Sequence, residues 1–192
     1  MADKRELIIQ AAVKVLEKEN YATMRTLTIA QEAGIAEGTI YRYFANKREL
    51  FKEVIRYINQ RLRELLFQGI SADMGLRENL EMLGIHFLFQ EGEARTLYKI
   101  FYKAFSEVDD PEVREVLGEI YHTAVEVIQN ILVEGSNKSN LVLSPDKARM
   151  MAIVLWALGD FFWKKRIVSP ENTVDIAEMK GLVTLFMSIV EK

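Results

Sequence analysis

Ile29-Ala30-Gln31-Glu32-Ala33-Gly34-Ile35-Ala36-Glu37-Gly38-Thr39-Ile40-Tyr41-Arg42-Tyr43-Phe44 is the stretch on which the reading of this chain turns. Ile29, Ala30 and Ala33 form the inward face of one short helix, and Ile40 and Phe44 that of a second, with Gly34 between them. A glycine at such a corner can adopt a backbone conformation that is costly for other residues. Two brief amphipathic helices around such a corner make a helix-turn-helix. In that motif the second helix presents its N-terminal residues to base edges in the DNA major groove. On spacing alone, two packed helices with a surface turn between them read the same way.

Outward from this stretch, Leu7, Ile8, Ala11, Ala12, Val15 and Leu16 recur with helical period, giving a first helix that Asn20-Tyr21 ends. Downstream, Asn46 is placed to cap a fourth helix, with Glu49 three residues on in the manner of a capping box. IIQAAVKVL at 8–16, Asn20-Tyr21, Ile29-Ala30, Ala33-Gly34-Ile35, Gly38-Thr39-Ile40-Tyr41, Tyr43-Phe44 and Asn46-Lys47-Arg48-Glu49-Leu50 together resemble the TetR family of bacterial transcriptional regulators. The resemblance runs without a gap through about the first 55 residues and then fades. Its specific part is GTIYRYFANKREL in register with the upstream IA…AGI.

That resemblance implies DNA contacts at Glu37, Gly38, Thr39, Tyr41, Arg42, Tyr43 and Lys47, and near Thr26 at the start of the second helix. The chemistry suits the assignment. Thr39 and Tyr41 carry hydroxyls for phosphate or base edges, and Arg42 can pair bidentately with guanine or with phosphate. Lys47, opening the fourth helix, joins an ammonium to free backbone N–H groups. Gly38 permits close approach. Tyr43 can instead be partly packing, and Phe44 is packing. Three positions depart from the family pattern. Ala36 replaces a frequent capping Ser or Thr, Glu37 replaces a frequent Lys, and Thr23-Met24-Arg25-Thr26 blurs the usual entry to the second helix. A carboxylate at 37 repels phosphate yet can accept from cytosine N4.

The net charge of −3 is unusual for a nucleic-acid binder until the chain is divided. Residues 1–56 carry ten Lys/Arg against eight Asp/Glu, and residues 57–192 fifteen against twenty, so the first segment is +2 and the rest −5. The asymmetry is slight but has the sign expected of a segment that approaches phosphate. No cysteine is present, which excludes a disulfide framework and a thiolate metal site. The N-terminus lacks the apolar core of a signal peptide. The longest apolar run, 150–163, is short for a bilayer and contains Asp160. The expectation is a cytoplasmic protein without a membrane partner. Asn137-Lys138-Ser139 is then a chance match to a glycosylation acceptor.

Beyond the fourth helix, expected to connect two parts over 47–69, the helical period continues. Leu76, Leu80, Leu83 and Phe87 mark a fifth helix, and Leu97, Tyr98, Phe101, Tyr102 and Phe105 a sixth. Asp110-Pro111-Glu112 starts a seventh. Residues 134–143, rich in Gly, Ser and Asn, are expected to be a loop. Ser144-Pro145 opens an eighth helix, and residues 169–172 break the chain before a ninth. The fold class is all-α, about nine helices: a three-helix DNA-binding module over 1–46 and a helical body over 47–192.

Within the body, 150–163 is apolar around its circumference except at Asp160, so such a helix needs cover on several sides. A second subunit is the natural cover, and the resemblance agrees, implying a homodimer through helices near 145–166 and 174–191. Phe186 is taken as one of the outward apolar residues there. Aromatic residues of the fifth to eighth helices are as consistent with plain core as with a cavity. The resemblance, which implies a ligand pocket among these helices, points to Phe87, Tyr98, Phe101, Tyr102, Phe105, Tyr121 and Trp156 as lining. Such walls suit a small lipophilic effector. His86 and His122 are expected to be core or pocket-lining rather than metal ligands. No phosphate loop, His-Glu-x-x-His or nucleophile elbow occurs, so no enzyme activity, cofactor or metal is expected. The function so read is a ligand-responsive regulator, most simply a repressor released from a palindromic operator duplex. The alternative is an architectural or adaptor protein of the same fold whose body binds a protein.

Overall fold

In the computed structural model of the chain, the described residues are 3–71, 73–89, 91–169 and 174–190. Among them are nine α-helices, one short 3₁₀ turn and no strand, as the periodicity predicts. They fall into two compact units, one of residues 1–62 and 92–120, the other of 63–91 and 121–192.

The first unit begins with α1 (Lys4–Lys18), whose N-terminus is capped by Asp3 accepting from the Arg5 N–H at 3.0 Å. Ile8, Ile9, Ala12 and Leu16 are its buried face. The helix-turn-helix follows as α2 (Thr26–Ala33) and α3 (Glu37–Ile40). Gly34 stands between them at φ 66°, in the left-handed region that favours glycine. Its N–H donates to the Gln31 carbonyl and that of Ile35 to Ala30, at 3.2 and 3.0 Å, closing α2 in a Schellman turn. The third helix is shorter than the sequence suggests. Regular structure ends at Ile40, and single turns, such as the Phe44 N–H on the Ile40 carbonyl at 3.0 Å, carry the chain onward to a buried Phe44. Ala36 indeed gives α3 no side-chain cap.

Asn46 opens α4 (Lys47–Leu66) by accepting from the Glu49 N–H at 3.0 Å. Glu49 does not complete the expected box; its carboxylate lies 2.9 Å from Lys52. Also in this unit are α6 (Glu93–Ala104), the 3₁₀ turn Phe105–Glu107 and the start of α7 (Pro111–Lys138). Asp110 caps α7 through the Glu112 N–H at 2.9 Å.

The second unit is built on α5 (Leu76–Phe89), the remainder of α7, α8 (Pro145–Val168) and α9 (Ile176–Val190). Leu76, Leu80, Ile128, Leu132, Met179 and Phe186 belong to its apolar core. Ser144 caps α8 by accepting from the Lys147 N–H at 3.3 Å. Asp175 and Glu178 form a reciprocal capping box on α9, at 2.8 and 2.9 Å. The chain break expected at 169–172 lies, but for Ser169, outside the described residues.

Three expectations are corrected here. Residues 134–138 are the last turns of α7, not a loop. Gly135 is there for close approach, since a Cβ would lie 3.0 Å from the Leu76 Cα, and Ser136 is buried beside it. Phe186 faces inward at 7% exposure, while its neighbour Leu185 is 59% exposed. His122 is neither core nor lining: it is exposed and 3.1 Å from Glu126, one helical turn away. His86 is half-buried, its Nδ1–H donating to the Leu66 carbonyl at 2.7 Å.

Candidate nucleic-acid interface

The residues singled out for DNA contact all lie in the first unit. Gly38, Tyr41, Arg42 and Tyr43 are exposed around α3, and Thr39 is half-buried. Thr26, Glu37, Tyr41 and Lys47 share an open groove with Ala22–Leu27. Three of the four are bonded to one another. Thr26 Oγ1 donates to Glu37 Oε1 at 2.6 Å and lies 3.1 Å from the Tyr41 hydroxyl. Thr26 can do this because it is the first residue of α2, opposite the first turn of α3 across the Gly34 corner.

Lys47 is held differently. Its ammonium sits 4.4 Å from the centroid of the Tyr21 ring, a cation–π arrangement, and that ring packs on Phe51 at 4.5 Å. Burial pushes the Lys47 pKa below its ordinary value, against the opposing pull of Glu107 and Glu19. Burial likewise raises the Tyr21 phenol, opposed by Arg48. Arg48 is braced by Asp110 at 2.8 Å and Glu112 at 3.0 Å, and Lys52 by Glu112 at 2.6 Å. The start of α4 is therefore a cationic edge fixed by carboxylates at the start of α7.

Sequence reasoning missed Tyr21 as the platform for Lys47, Arg25 on the groove wall, and Lys103. The last is the most unusual. The Lys103 ammonium, from α6, donates to the carbonyls of Leu16, Glu17 and Glu19 at 2.6, 3.2 and 2.9 Å, closing the C-terminus of α1. No local pattern signals a partner 84 or more residues away.

The aromatic residues named as effector lining divide between the units. Tyr98, Phe101, Tyr102 and Phe105 belong to the first, with ring centroids 5.6 to 6.3 Å apart. Phe87, Tyr121 and Trp156 belong to the second, Trp156 meeting each of the others edge-on at 6.1 and 6.0 Å. Burial, then the charge of Asp160, raises the Tyr121 pKa. Asp160 itself lies 2.6 Å from Lys164. The second unit also holds a half-open apolar pocket of about 60 Å³, with Leu83, Phe87, Leu158, Phe162, Leu182 and Phe186 among its lining residues. Of the seven expected residues, Phe87 lines it. Among the described residues no cluster of His, Cys, Asp or Glu is suited to a metal ion, and no helix is long and apolar enough to cross a membrane.

A left-handed glycine corner, a short second helix followed by exposed Tyr41, Arg42 and Tyr43, and a groove ending at a fixed lysine make up a helix-turn-helix. Residues 8–54 match the family of bacterial regulatory proteins named for tetR. The chain carries that match from α1 through the helix-turn-helix to the start of α4. It is similar to the HTH-type transcriptional regulator YhgD of Bacillus subtilis, with 23% identity over 189 residues, 96% of this chain and 95% of that protein. It is similar also to the fatty acid metabolism regulator protein of Bacillus subtilis, with 28% identity over 181 residues, 87% of this chain and 89% of the other. The crystal structure of a TetR-family transcriptional regulator from Rhodococcus has the same fold, with a TM-score of 0.78 over 100% of both chains at 17% identity.

Proposed function

We propose that the chain is a homodimeric, cytoplasmic repressor that holds a palindromic operator through two helix-turn-helix heads and releases it on binding a small lipophilic effector. The observation that carries the reading is the groove at the Gly34 corner, where Thr26, Glu37, Tyr41 and Lys47 stand together. With Gly38, Thr39, Arg42 and Tyr43 they make up the DNA-contacting set, on a head of residues 1–46 and on Lys47, the first residue of the effector-binding and pairing body 47–192. A dimer is supported by the apolar side chains that one chain leaves exposed: Met150, Ile153, Val154 and Phe161 on α8, Leu185 and Ile189 on α9. Two heads must meet half-sites about 34–36 Å apart or a multiple of that, so any change in their separation costs operator affinity.

The effector reading is supported by the apolar pocket around Phe87 and by the similarity to the fatty acid metabolism regulator protein of Bacillus subtilis. A volume of about 60 Å³ is far below the roughly 300–1,000 Å³ of small-molecule sites. Binding therefore requires the rings to part, and the state with parted rings is the one the effector selects. Tyr121 and Trp156, in edge-on contact behind Phe87, are the first to move; Tyr98, Phe101, Tyr102 and Phe105 are the second candidate group. The small volume favours, as a second reading, an adaptor whose body binds a protein. Selection of binding sites from a random duplex pool tests the operator reading. A two-fold symmetric motif is the expected result, with affinity falling steeply as salt rises; enrichment of no motif at low salt overturns it. Thermal-shift screening with long-chain acids and acyl thioesters separates effector from adaptor.

A further inference from the structure

The Thr26 hydroxyl carries one hydrogen, and the 2.6 Å contact to Glu37 takes it, because a carboxylate has none to donate. The 3.1 Å contact to Tyr41 therefore runs the other way, with the Tyr41 hydroxyl donating to Thr26 Oγ1. Thr26 is only 9% exposed, so its end of this chain of bonds is shielded from water, while Tyr41 is exposed. The direction is Tyr41 to Thr26 to Glu37. What the trio offers outward is then acceptors alone: the second Glu37 oxygen and the lone pairs of the Tyr41 oxygen. A phosphate needs donors and is repelled by such a surface.

We propose that Glu37 and Tyr41, set by the buried Thr26 hydroxyl, form an acceptor-only reader that selects a cytosine in each operator half-site through its N4 amino group. The inference rests on the operator-binding reading above. In the major groove only two bases present a donor, cytosine N4 and adenine N6. The adenine amino group is flanked by its own N7 and by O4 of the paired thymine, both acceptors that repel a carboxylate. The cytosine amino group has an acceptor, guanine O6, on one side only, and a C5–H on the other. Guanine and thymine offer nothing to an acceptor. Thr26 is a positioning residue: it touches no base, it takes the one hydrogen that Tyr41 can give, and it occupies one Glu37 oxygen.

The test uses the full-length protein. Site selection is run with wild type, Glu37→Gln, Thr26→Val and Thr26→Ser, followed by anisotropy titrations on the enriched duplex and on duplexes altered one base pair at a time. Wild type is expected to require cytosine at one column of each half-site, with a loss of about 10-fold or more for any other base there. Glu37→Gln keeps its oxygen on the Thr26 hydroxyl and turns its NH2 outward, a donor that the cytosine amino group cannot meet, and should move that column alone from cytosine to a base that offers a major-groove acceptor. Thr26→Val should relax the same column, and Thr26→Ser, which keeps the hydroxyl, should restore it. Wild type and Glu37→Gln enriching the same base at every column would overturn the proposal while leaving operator binding intact. A wild-type pool without any motif would overturn both.

Discussion

Replacing Lys103 by Met keeps most of the stem and removes the ammonium that closes α1. Three carbonyls at the end of α1, those of Leu16, Glu17 and Glu19, then lose a charged donor at 2.6 to 3.2 Å. A hydrogen bond to a charged group is worth about 1.5–3 kcal/mol, and favourable charge at a helix C-terminus about 0.3–1 kcal/mol more. Lys103 is only half-buried and water can replace part of the loss, so the sum is not additive. The expected cost is about 2 kcal/mol. For a chain of this length that corresponds to a fall in Tm of roughly 4–8 °C. Urea titration followed by circular dichroism should show a lower midpoint with an unchanged slope, and Lys103→Arg should recover part of the loss. A Lys103→Met midpoint within about 0.5 kcal/mol of wild type would refute the view that this ammonium holds the end of α1.

Gly159→Ala places a Cβ within 2.5 Å of the Phe87 ring, so the ring must move; a cost of about 1–3 kcal/mol is expected despite the better helix former, together with a weaker response to any pocket ligand. Leu185→Glu should give a folded monomer by light scattering and circular dichroism, whereas Phe186→Glu, which buries an unpaired carboxylate, should fail to fold. Hydrogen bonds from Lys52 and Arg48 hold the Glu112 carboxyl below its ordinary value of 4.5, so its contribution is present above that pH and is lost as the pH falls through the lower folded value. Acid titration of Glu112→Gln should therefore show a shallower loss of stability below about pH 4.5 than wild type, and parallel curves would exclude that role.

The helices with clear apolar period and local caps, α1, α4, α7 and α8, are where sequence reading succeeds, because Asn46, Asp110 and Ser144 act within three residues of themselves. It stops where the cause is distant. Gly135 and Ser136 carry a loop composition, yet they serve a helix pressed against Leu76 in a remote segment. On α9, Leu185 and Phe186 are both large and apolar, and one position of helical phase separates core from surface. Of the groove residues, Thr26, Glu37, Tyr41 and Lys47 were legible one by one from the motif. The bonds joining Thr26, Glu37 and Tyr41 were not, since they depend on how α2 meets α3. The aromatic set was read as one group because composition cannot show that its members belong to different packing units.

If the exposed apolar side chains of α8 and α9 pair two chains, as proposed, they also set a rule for gene dosage. With a pair of chains as the operator-binding species, the active population grows with the square of chain concentration when that concentration is well below the dimer dissociation constant, by mass action. Halving synthesis then cuts the active pool about fourfold, and thermal stability itself rises with concentration because association favours the folded form. A regulator built this way would count its own copies first, and its operator occupancy would change over a narrow range of protein supply.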